Sequence, residues 1–402
     1  MKINEKIHDK KILKILHIAP TPFFSDRGCH MRVKGIIEAL NKLSTRNILC
    51  TYHNGRDIDG IETARIVNIP GYNKVEAGPS AFKYIADVFL FFKVLESIKR
   101  FEPDIIHGHL HEGALIGWAA KSCFFWRKIP LVFDMQGSLV GELEAHGYFD
   151  KSKLLKKLFL FIEYLITRFP DAFVCSSDES VKILKNIFNV SADNIRLASD
   201  GVDIHYVNNK SLTKLQNELD IPNDKPVVIY TGALLEAKGL SSLCKLIKYS
   251  KKRELGCHFL IVGYPENKIL EFVKANNYED FCTITGRVPF EKLGNYLGLA
   301  TAALEPKVEG SGEASGKLLN YMGANLPIVC FNTKNNRQLL GESGYYAEDQ
   351  TTEGLAVQLE LLLKNLNKAR QKGELAKKRV NEKFSWKTTA DCIYDIYQHC
   401  LN

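Results

Sequence analysis

The sequence lacks any long uncharged apolar run, and none approaches the ~20 residues that a helix needs to cross a bilayer. Its first residues, 1–6, also lack the apolar stretch of a secretory signal. We therefore expect a cytoplasmic protein, either free or at the inner face of a membrane.

Motifs of several common sites are missing as well. None of the ten cysteines forms a C-x-x-C pair or has histidine neighbours at zinc-finger spacing, which favours buried, reduced thiols over metal sites. No G-x-x-x-x-G-K-[ST] and no G-x-G-x-x-G occurs. Their absence excludes a P-loop and leaves a Rossmann dehydrogenase unsupported.

Charge of one sign is not concentrated anywhere. The net charge of the 402 residues is +8, and residues 1–205 and 206–402 each carry about half of that excess. An even distribution does not mark a nucleic-acid-binding domain, so we expect no nucleic-acid partner. Hydrophobic residues make up 45% of the chain and charged residues 25%, as in ordinary globular proteins.

What the sequence does contain is an alternation of short apolar strands and helices. The first series begins with the strand 12–19, and a second series begins with the strand 227–231 after a polar break at 206–224. Such alternation predicts parallel sheets covered by helices on both faces. We predict an α/β protein of two Rossmann-like domains facing a cleft, 1–205 and 213–385, with ligands beyond the carboxyl ends of the strands.

Glycine turns after strands are the first candidate ligand sites. They occur at Gly28, Gly232, Gly263 and Gly286, where the backbone can approach a ligand closely. Lys238, six residues after the second of these turns, is placed to neutralise a diphosphate. A solvated surface lysine is the alternative.

The most unusual stretch is the glycine-rich segment 309–317, which opens directly onto a helix. Its backbone N–H groups could grip phosphate oxygens, with Lys317 adding a positive charge. Glu309 and Glu313 suit sugar hydroxyls. A flexible surface loop is the alternative.

Polar residues also follow two strands of the first series. His107, His109 and His111 alternate in sequence, which leaves open a metal site, a single substrate contact or a turn histidine bonded to backbone. Asp134 is a candidate acceptor contact or weak base, and Gln136 lies beside it. A turn or helix-capping aspartate is the alternative.

Three segments of the first domain mix basic residues with aromatic and aliphatic residues: 81–101, 124–128 and 151–168. Helices of this composition can lie on anionic membranes. Packing against the sheet with a solvated basic edge is the alternative for each segment.

Taken in order, these segments resemble a family 4 glycosyltransferase of the GT-B fold, over nearly the whole chain. In the first half the resemblance rests on the Gly28 loop, the His107-Gly108-His109 run and the segment 199–203. In the second half it rests on segments 230–232, 238–239, 262–263, 286–288, 317–322, 327–329 and 384–386. The resemblance implies that a final helix, about 386–402, packs back onto the first domain.

The resemblance also implies roles. The second domain would bind a UDP- or GDP-sugar and the first domain a glycan or lipid-linked acceptor. Lys238 and Glu309 would act at the diphosphate and the donor sugar, and His109 would reach the sugar from the first domain. No metal or cofactor is expected. The implied donor-binding residues are Gly28, Gly232, Lys238, Gly263, Arg287, Val288, Glu313, Ser315, Gly316, Lys317, Leu318, Leu319 and Asn320.

The chain departs from the family pattern at three positions. In the first loop, the family's glycine pair is Gly28-Cys29 here. Ala233 stands where the family has an arginine, and Asn320 where it has the second of two glutamates. Lys317 would replace the missing charge at 233. We expect a retaining, metal-independent hexosyltransferase of cell-surface polysaccharide or glycolipid synthesis. The alternatives are a degenerate member that binds a sugar nucleotide or a partner subunit, and a sugar-nucleotide epimerase of the same fold.

Overall fold

The computed structural model describes residues 12–75, 81–145, 148–149, 152–202, 209–307 and 315–402. The chain divides into two compact units. Within the described residues, the first unit comprises residues up to Leu143, Phe149–Ser199 and Trp386–Asn402, and the second comprises Asp200–Ser385 with the segment Glu144–Tyr148.

A seven-stranded parallel sheet forms the centre of the first unit, in the order β3-β2-β1-β4-β5-β6-β7. Its central strands are almost entirely buried, because helices cover both faces, and their sequences are correspondingly rich in Ile, Leu and Val. The strands are β1 (Leu13–Ala19), β2 (Thr45–Thr51), β3 (Glu62–Arg65), β4 (Ile105–His109), β5 (Leu131–Met135), β6 (Ala172–Cys175) and β7 (Ile195–Leu197).

Helices pack on the two faces of this sheet. Those before β7 are α1 (Gly28–Leu40), α2 (Ala81–Phe101), α3 (Leu110–Ser122), α4 (Leu139–Ala145), α5 (Lys153–Ile166) and α6 (Asp178–Lys182). Helix α3 contacts both α2 and α5. The apolar side chains of α2 and α3 share one core with β1 and β4, whereas those of α1 lie in a separate core.

The second unit repeats the plan with a six-stranded parallel sheet in the order β10-β9-β8-β11-β12-β13. The strands are β8 (Val227–Thr231), β9 (His258–Val262), β10 (Cys282–Gly286), β11 (Ala302–Glu305), β12 (Ile328–Phe331) and β13 (Gly344–Ala347). The helices are α7 (Asn209–Glu218), α8 (Leu240–Lys252), α9 (Asn267–Asn276), α10 (Leu293–Gly298), α11 (Gly316–Gly323), α12 (Lys334–Leu340), α13 (Thr352–Lys364) and α14 (Leu366–Lys383).

The last helix, α15 (Trp386–Leu401), belongs to the first unit. It packs on α1, where the ring of Trp386 occupies the space that a Cβ on Gly35 would fill, 2.3 Å away. Ile393, Ile396 and Tyr397 are fully buried in the core that α15 shares with α1 and β1. The end of the sequence therefore completes the core of the unit that begins it.

The strand order reverses once in each sheet, between β1 and β4 and between β8 and β11. In open parallel sheets, ligands bind beyond the carboxyl ends of the strands at such a point, because the loops diverge there and leave a crevice. The described helices include none long and apolar enough to span a membrane. None of the ten cysteines, all of which lie in the described residues, forms a disulfide.

Candidate active site

The carboxyl ends of β8 and β11 bring a lysine and a glutamate together in the second unit. The Nζ atom of Lys317 lies 3.3 Å from Oε1 of Glu305 and 4.3 Å from the ring centroid of Tyr230. Glu305 is only 1% exposed. Burial acts to lower the pKa of Lys317, but the carboxylate of Glu305 outweighs it and raises that pKa above its usual range. The lysine is therefore a permanent cation at the reversal point.

Further donors fix the carboxylate of Glu305. The Oγ of Ser315 donates to Oε2 at 2.5 Å, and the backbone N–H of Lys307 donates to Oε1 at 3.3 Å. Lys317 sits in the first turn of α11, and its Cε would lie 3.5 Å from a Cβ on Gly232. An ammonium has three N–H donors, so its contact with one carboxylate oxygen leaves donors for another anion.

Close backbone approach organises the turn after β8. The φ of Gly232 is 125°, and its carbonyl oxygen lies 2.1 Å from where a Cβ on Gly263 would be. Gly239, with φ 91°, approaches Pro306 just as closely, since a Cβ there would lie 2.4 Å from the Pro306 carbonyl oxygen. Lys238 immediately precedes Gly239, so this contact draws the Lys238 segment to the end of β11.

The other predicted donor-site residues differ in how exposed they are. Gly316 is exposed at the start of α11 and Asn320 is half-buried. The side chains of Leu318 and Leu319 lie in the core, and the N–H of Leu318 already donates to the Ser315 carbonyl at 3.0 Å. The expected ligand contact at Leu318 is therefore not available in this structure, because both its side chain and its N–H are used within the fold.

Two more donor-site predictions fall on the turn after β10. Arg287 is exposed and Val288 packs partly on the core of the second unit. Glu309 and Glu313 lie outside the described residues. The structure therefore brings together Gly232, Gly263, Ser315 and Lys317 of the predicted set, with Lys238 on the adjoining turn.

In the first unit, three histidines and an aspartate form a fully buried cluster at β1, β4 and β5. His17 Nδ1 lies 3.0 Å from His109 Nε2, and His109 Nδ1 lies 2.8 Å from Asp134 Oδ2. His17 Nε2 is 3.0 Å from Asn47 Oδ1, and His107 Nδ1 is 2.5 Å from the hydroxyl of Tyr397. The parallel register places the histidines of β1 and β4 side by side.

The hydrogen-bond directions in this cluster determine where the protons lie. Thr45 Oγ1 donates to the Leu40 carbonyl, so it accepts from the Asn47 amide and leaves Asn47 Oδ1 facing His17. His17 therefore carries its proton on Nε2 and accepts at Nδ1. His109 satisfies both His17 and the carboxylate of Asp134 only when it is protonated on both nitrogens.

Asp134 accepts hydrogen bonds from both His109 and Arg32. The guanidinium of Arg32 donates to Asp134 through Nε at 2.9 Å and Nη2 at 2.7 Å, and Gln136 Nε2 donates at 2.9 Å. Burial acts to raise the pKa of Asp134, but the charges of Arg32 and His109 outweigh it and hold that pKa far below its usual range. The carboxylate is thus ionised and fully bonded within the protein.

The three histidines offer a ring nitrogen each within 4.8 Å of one another, the spacing that a metal ion would need. Their ring planes are nearly parallel, however, at 16° for His107 and His109 with centroids 4.5 Å apart. The lone pairs of the histidine nitrogens lie in the ring planes. In nearly parallel rings they point in parallel directions and do not converge on one ion. The geometry fits a hydrogen-bonded stack better than a metal centre.

A further histidine fixes the loop before Gly28. The backbone N–H of Ser25 donates to His30 Nδ1 at 2.9 Å, so His30 carries its proton on Nε2 and donates to Thr21 Oγ1 at 2.6 Å. Gly28 itself is exposed at the first position of α1, and a Cβ there would meet nothing within 4 Å. This helix start is open.

Two families match the chain, one in each unit. Residues 28–206 match the family described as Glycosyltransferase Family 4, and residues 225–365 match the family described as Glycosyl transferases group 1. Together the two matches cover most of the chain. It belongs to the group 1 and family 4 glycosyltransferases.

Similar proteins agree with this assignment. An uncharacterized glycosyltransferase of Methanocaldococcus jannaschii is 23% identical over 327 residues, which are 78% of this chain and 79% of the relative. Sucrose-phosphate synthase from Thermosynechococcus elongatus superposes with a TM-score of 0.78 at 18% identity, over 96% of this chain and 98% of that one. Anabaena HepE, in complex with UDP and glucose, gives 0.77 at 15% identity over 96% and 99%. The fold is GT-B.

Two predicted site residues of the glycosyltransferase lie in the buried cluster of its first unit. His109 was expected to reach the donor sugar and Asp134 to contact the acceptor, yet both side chains are fully buried. Both nitrogens of His109 and both oxygens of Asp134 are bonded within the protein. In this structure their hydrogen-bonding atoms are used within the protein, for His109 by His17 and Asp134, and for Asp134 by His109, Arg32 and Gln136.

Four residues of the glycosyltransferase's candidate site were missed in the sequence. Glu305 had a detectable signal, since a carboxylate ends an otherwise apolar strand. His17, likewise, is a polar residue within an apolar strand. Arg32 and His30 had no such signal, because they occupy a helix whose exposed side readily carries polar residues.

Proposed function

We propose that this glycosyltransferase transfers a hexosyl group from a UDP- or GDP-sugar to a glycan or lipid-linked glycan, with retention of anomeric configuration. The observation that carries the donor assignment is the Lys317–Glu305 pair at the strand reversal of the second sheet. A buried cation with spare donors, next to a glycine turn and the first turn of a helix, suits a diphosphate. HepE, which has the same fold, binds UDP-glucose.

In the proposed reaction, the bond between the sugar C1 and the diphosphate oxygen breaks, and the acceptor oxygen forms a new bond to C1 on the same face. The acceptor hydroxyl proton passes to the departing diphosphate. Lys317 and Lys238 stabilise the charge that develops on that diphosphate, together with N–H groups at the start of α11. This positive charge takes the place that a metal ion would otherwise have, so we propose a metal-independent reaction with no cofactor.

For the acceptor we propose the first unit. Gln136 is half-buried and follows β5, and its amide is held by Asp134. Asp134 and His109 would thus act behind Gln136 as positioning residues. A lipid-linked acceptor for polysaccharide or glycolipid synthesis would be met on the cytoplasmic face of a membrane.

The first experiment is a panel of nucleotide-sugars in a thermal-shift assay, followed by nucleotide release with each hit. A donor that binds the folded protein raises its melting temperature by mass action, by an amount that grows with concentration over Kd. We expect one UDP- or GDP-sugar to stabilise the protein, and Lys317→Ala and Lys238→Ala each to abolish the shift. Lys248→Ala, which removes an exposed lysine of α8, should retain it.

The same assay separates the proposal from its alternatives. Slow nucleotide release that accelerates with an acceptor supports a transferase. Binding without turnover under any acceptor would indicate a degenerate member, and acceptor-independent conversion of the sugar nucleotide would indicate an epimerase. If no nucleotide binds at millimolar concentration, the donor assignment is wrong.

A further inference from the structure

Helices α2 and α5 of the first unit each present an exposed stripe of apolar side chains. On α2 the stripe follows helical spacing, and its exposed fractions are 47% for Ile85, 57% for Val88, 41% for Phe89 and 59% for Phe92. A soluble helix normally buries such a stripe. Here α2 buries a second apolar side against the sheet, through residues that include Leu90 and Val94, so the exposed stripe is additional.

Helix α5 repeats the pattern on the same layer. Its exposed stripe contains Leu154 at 78%, Leu158 at 52%, Phe161 at 56%, Ile162 at 36% and Leu165 at 39%. Helix α3 contacts both α2 and α5 and adds Leu115, which is 40% exposed. Two apolar stripes therefore flank α3 on one side of the first unit.

A short turn at Phe125–Arg127 extends this side toward the end of α2. Phe125 and Trp126 are 76% and 63% exposed, and Arg127 Nη1 donates to the Ile98 carbonyl near the end of α2. Exposed tryptophan and phenylalanine beside cations are typical of side chains that enter the interfacial region of a bilayer. Together with the two stripes, these exposed aromatic side chains form a larger apolar patch than the single, scattered apolar residues of an ordinary protein surface.

The charges around these stripes have one predominant sign, because the acidic side chains turn inward. Asp87 of α2 accepts the hydroxyl of Tyr52 at 2.5 Å, and the fully buried Glu163 of α5 accepts the N–H groups of Leu139 and Val140. Glu96, which remains outside, is paired with Lys93 and Arg100. No carboxylate is thus left unpaired on either helix.

Several cations, by contrast, have no counter-ion. Lys99, Lys128, Lys153 and Lys157 are exposed, and none of them has an ion pair within the part of the chain that the structure describes. Lys153 and Lys157 flank one side of the α5 stripe, and Lys99 continues the α2 stripe beyond Phe92. An apolar surface edged by unpaired cations is complementary to an anionic bilayer, whose acyl region takes the apolar groups and whose headgroups take the lysines.

We propose that the layer formed by α2, α3, α5 and the Phe125–Arg127 turn docks on an anionic lipid bilayer. The inference goes beyond the proposed sugar transfer and does not depend on it, because the surface and the donor-site lysines lie in different units. A lipid-linked acceptor would reach such a docked protein without leaving the membrane. Vesicle binding and nucleotide binding can therefore fail separately.

The test is flotation of the full-length protein with large unilamellar vesicles. One set contains phosphatidylcholine alone, and the other contains phosphatidylcholine with about a third phosphatidylglycerol. We expect binding to the anionic vesicles that is at least tenfold stronger than binding to the neutral ones and falls steeply between 0.05 and about 0.5 M salt. Equal binding to both vesicles, or no binding to either, would overturn the proposal.

Paired variants define the surface. Val88→Ser with Phe92→Ser, and Leu158→Ser with Phe161→Ser, should each weaken vesicle binding about tenfold or more. Lys153→Glu with Lys157→Glu should do the same only for anionic vesicles. The control is Leu361→Ser with Leu375→Ser, which removes leucines of similar exposure, 52% and 54%, from the second unit. Loss of binding in this control would show that the surface is misassigned.

Light scattering in the absence of vesicles tests whether this apolar face binds a second copy of the chain instead of a membrane. We expect a monomer for the wild type and for every variant. A dimer that the Val88 and Phe92 substitutions dissociate would overturn the proposal, because the face would then be a protein interface. Each variant should also unfold in the same cooperative thermal transition as the wild type, which checks that it is folded.

Discussion

The buried cluster of the first unit contains two histidines, His17 and His107, whose pKa values are lowered. Burial and the charge of His109 lower the pKa of His17 to about 3, and burial lowers the pKa of His107 well below its usual value. In the unfolded chain both histidines titrate near 6.5. Between this value and the lowered native pKa, the unfolded state therefore binds more protons at these two positions than the native state does, and stability falls as the pH falls.

This asymmetry predicts an acid-sensitive fold. Below pH 6.5, each of these two histidines should reduce the free energy of unfolding by up to about 1.4 kcal/mol per pH unit, and for His17 this dependence continues down to about pH 3. Urea unfolding at pH 7.5, 6.5 and 5.5 measures the slope, and His17→Gln and His107→Gln should each lower it by about that amount. His399→Gln, at an exposed position of α15, should leave the slope unchanged. Unaltered slopes in both core variants would contradict the assignment of neutral histidines.

The Lys317–Glu305 ion pair in the second unit predicts that a bound ligand compensates for a destabilising substitution. Glu305→Gln leaves the buried ammonium of Lys317 without its counter-charge, so the nucleotide-free protein should lose about 3–5 kcal/mol of stability. A bound diphosphate supplies negative charge to the same ammonium. The rise in melting temperature on adding nucleotide should therefore be larger in Glu305→Gln than in the wild type.

Thermal unfolding with and without UDP tests this compensation. Glu360→Gln is the matched control, because Glu360 pairs with Arg253 and Lys364 at the surface, where such pairs contribute little. A nucleotide shift that shrinks in Glu305→Gln would mean that Glu305 binds the ligand itself and does not simply hold the lysine.

At the scale of elements, the predicted donor-site glycines differ in how closely other atoms approach them. A Cβ at Gly263 would be 2.1 Å from the Gly232 carbonyl oxygen, whereas a Cβ at Gly316 would meet nothing within 4 Å. Both were predicted to contact the donor. Gly263 is first of all required by the packing of two turns, because the β8 and β9 loops touch there.

This difference predicts unequal effects of the same added methyl group. Gly263→Ala must displace the Gly232 turn and should cost about 1–3 kcal/mol of stability, as overpacking does. Gly316→Ala should change stability by less than about 0.5 kcal/mol. Chemical denaturation of the two variants gives the comparison. Equal stabilities of the two variants would mean that the turn after β8 can move to accommodate the added methyl group without loss of stability.

Strands such as β1, β8 and β9 were predictable because each is a short apolar run followed by a residue that ends regular structure, which is proline after β1 and glycine after β8 and β9. The sequence does not predict helix α7, because segment 206–224 is polar, has no strand pattern and indicates a boundary between domains. Its sequence is mostly polar, and Leu212 is one of its few apolar residues, packing over Gly298 of α10. An element that buries so little leaves a weak periodic signal.

The candidate site was predictable only where it is local in sequence. The segment that starts α11 and the turn after β8 each carry their own pattern of glycine and lysine. The pairs His17–His109 and Arg32–Asp134 join residues 92 and 102 positions apart. Such pairs arise from the parallel register of β1, β4 and β5, which no pattern within one segment specifies.

For the whole molecule, α15 follows α14 directly in sequence but belongs to the other unit. Ile396 is fully buried against the first sheet, and Val380 of α14 is fully buried in the second unit. Truncating either side chain to alanine creates a cavity of similar kind, at a cost of about 1–5 kcal/mol. The two variants therefore weaken different cores, and only for Ile396 is it a core that the chain order would not indicate.

Hydrogen exchange followed by mass spectrometry shows where each cavity acts. Ile396→Ala should accelerate exchange in β1, β4 and α1, which lie more than 280 residues earlier in the sequence, because local opening follows the core that is weakened. Val380→Ala should instead accelerate exchange in α11 and β12, which share its core. If Ile396→Ala affected only residues 366–402, α15 would be an appendage of α14. Exchange that rises in the first sheet would make the last sixteen residues of helix part of the domain in which the chain begins.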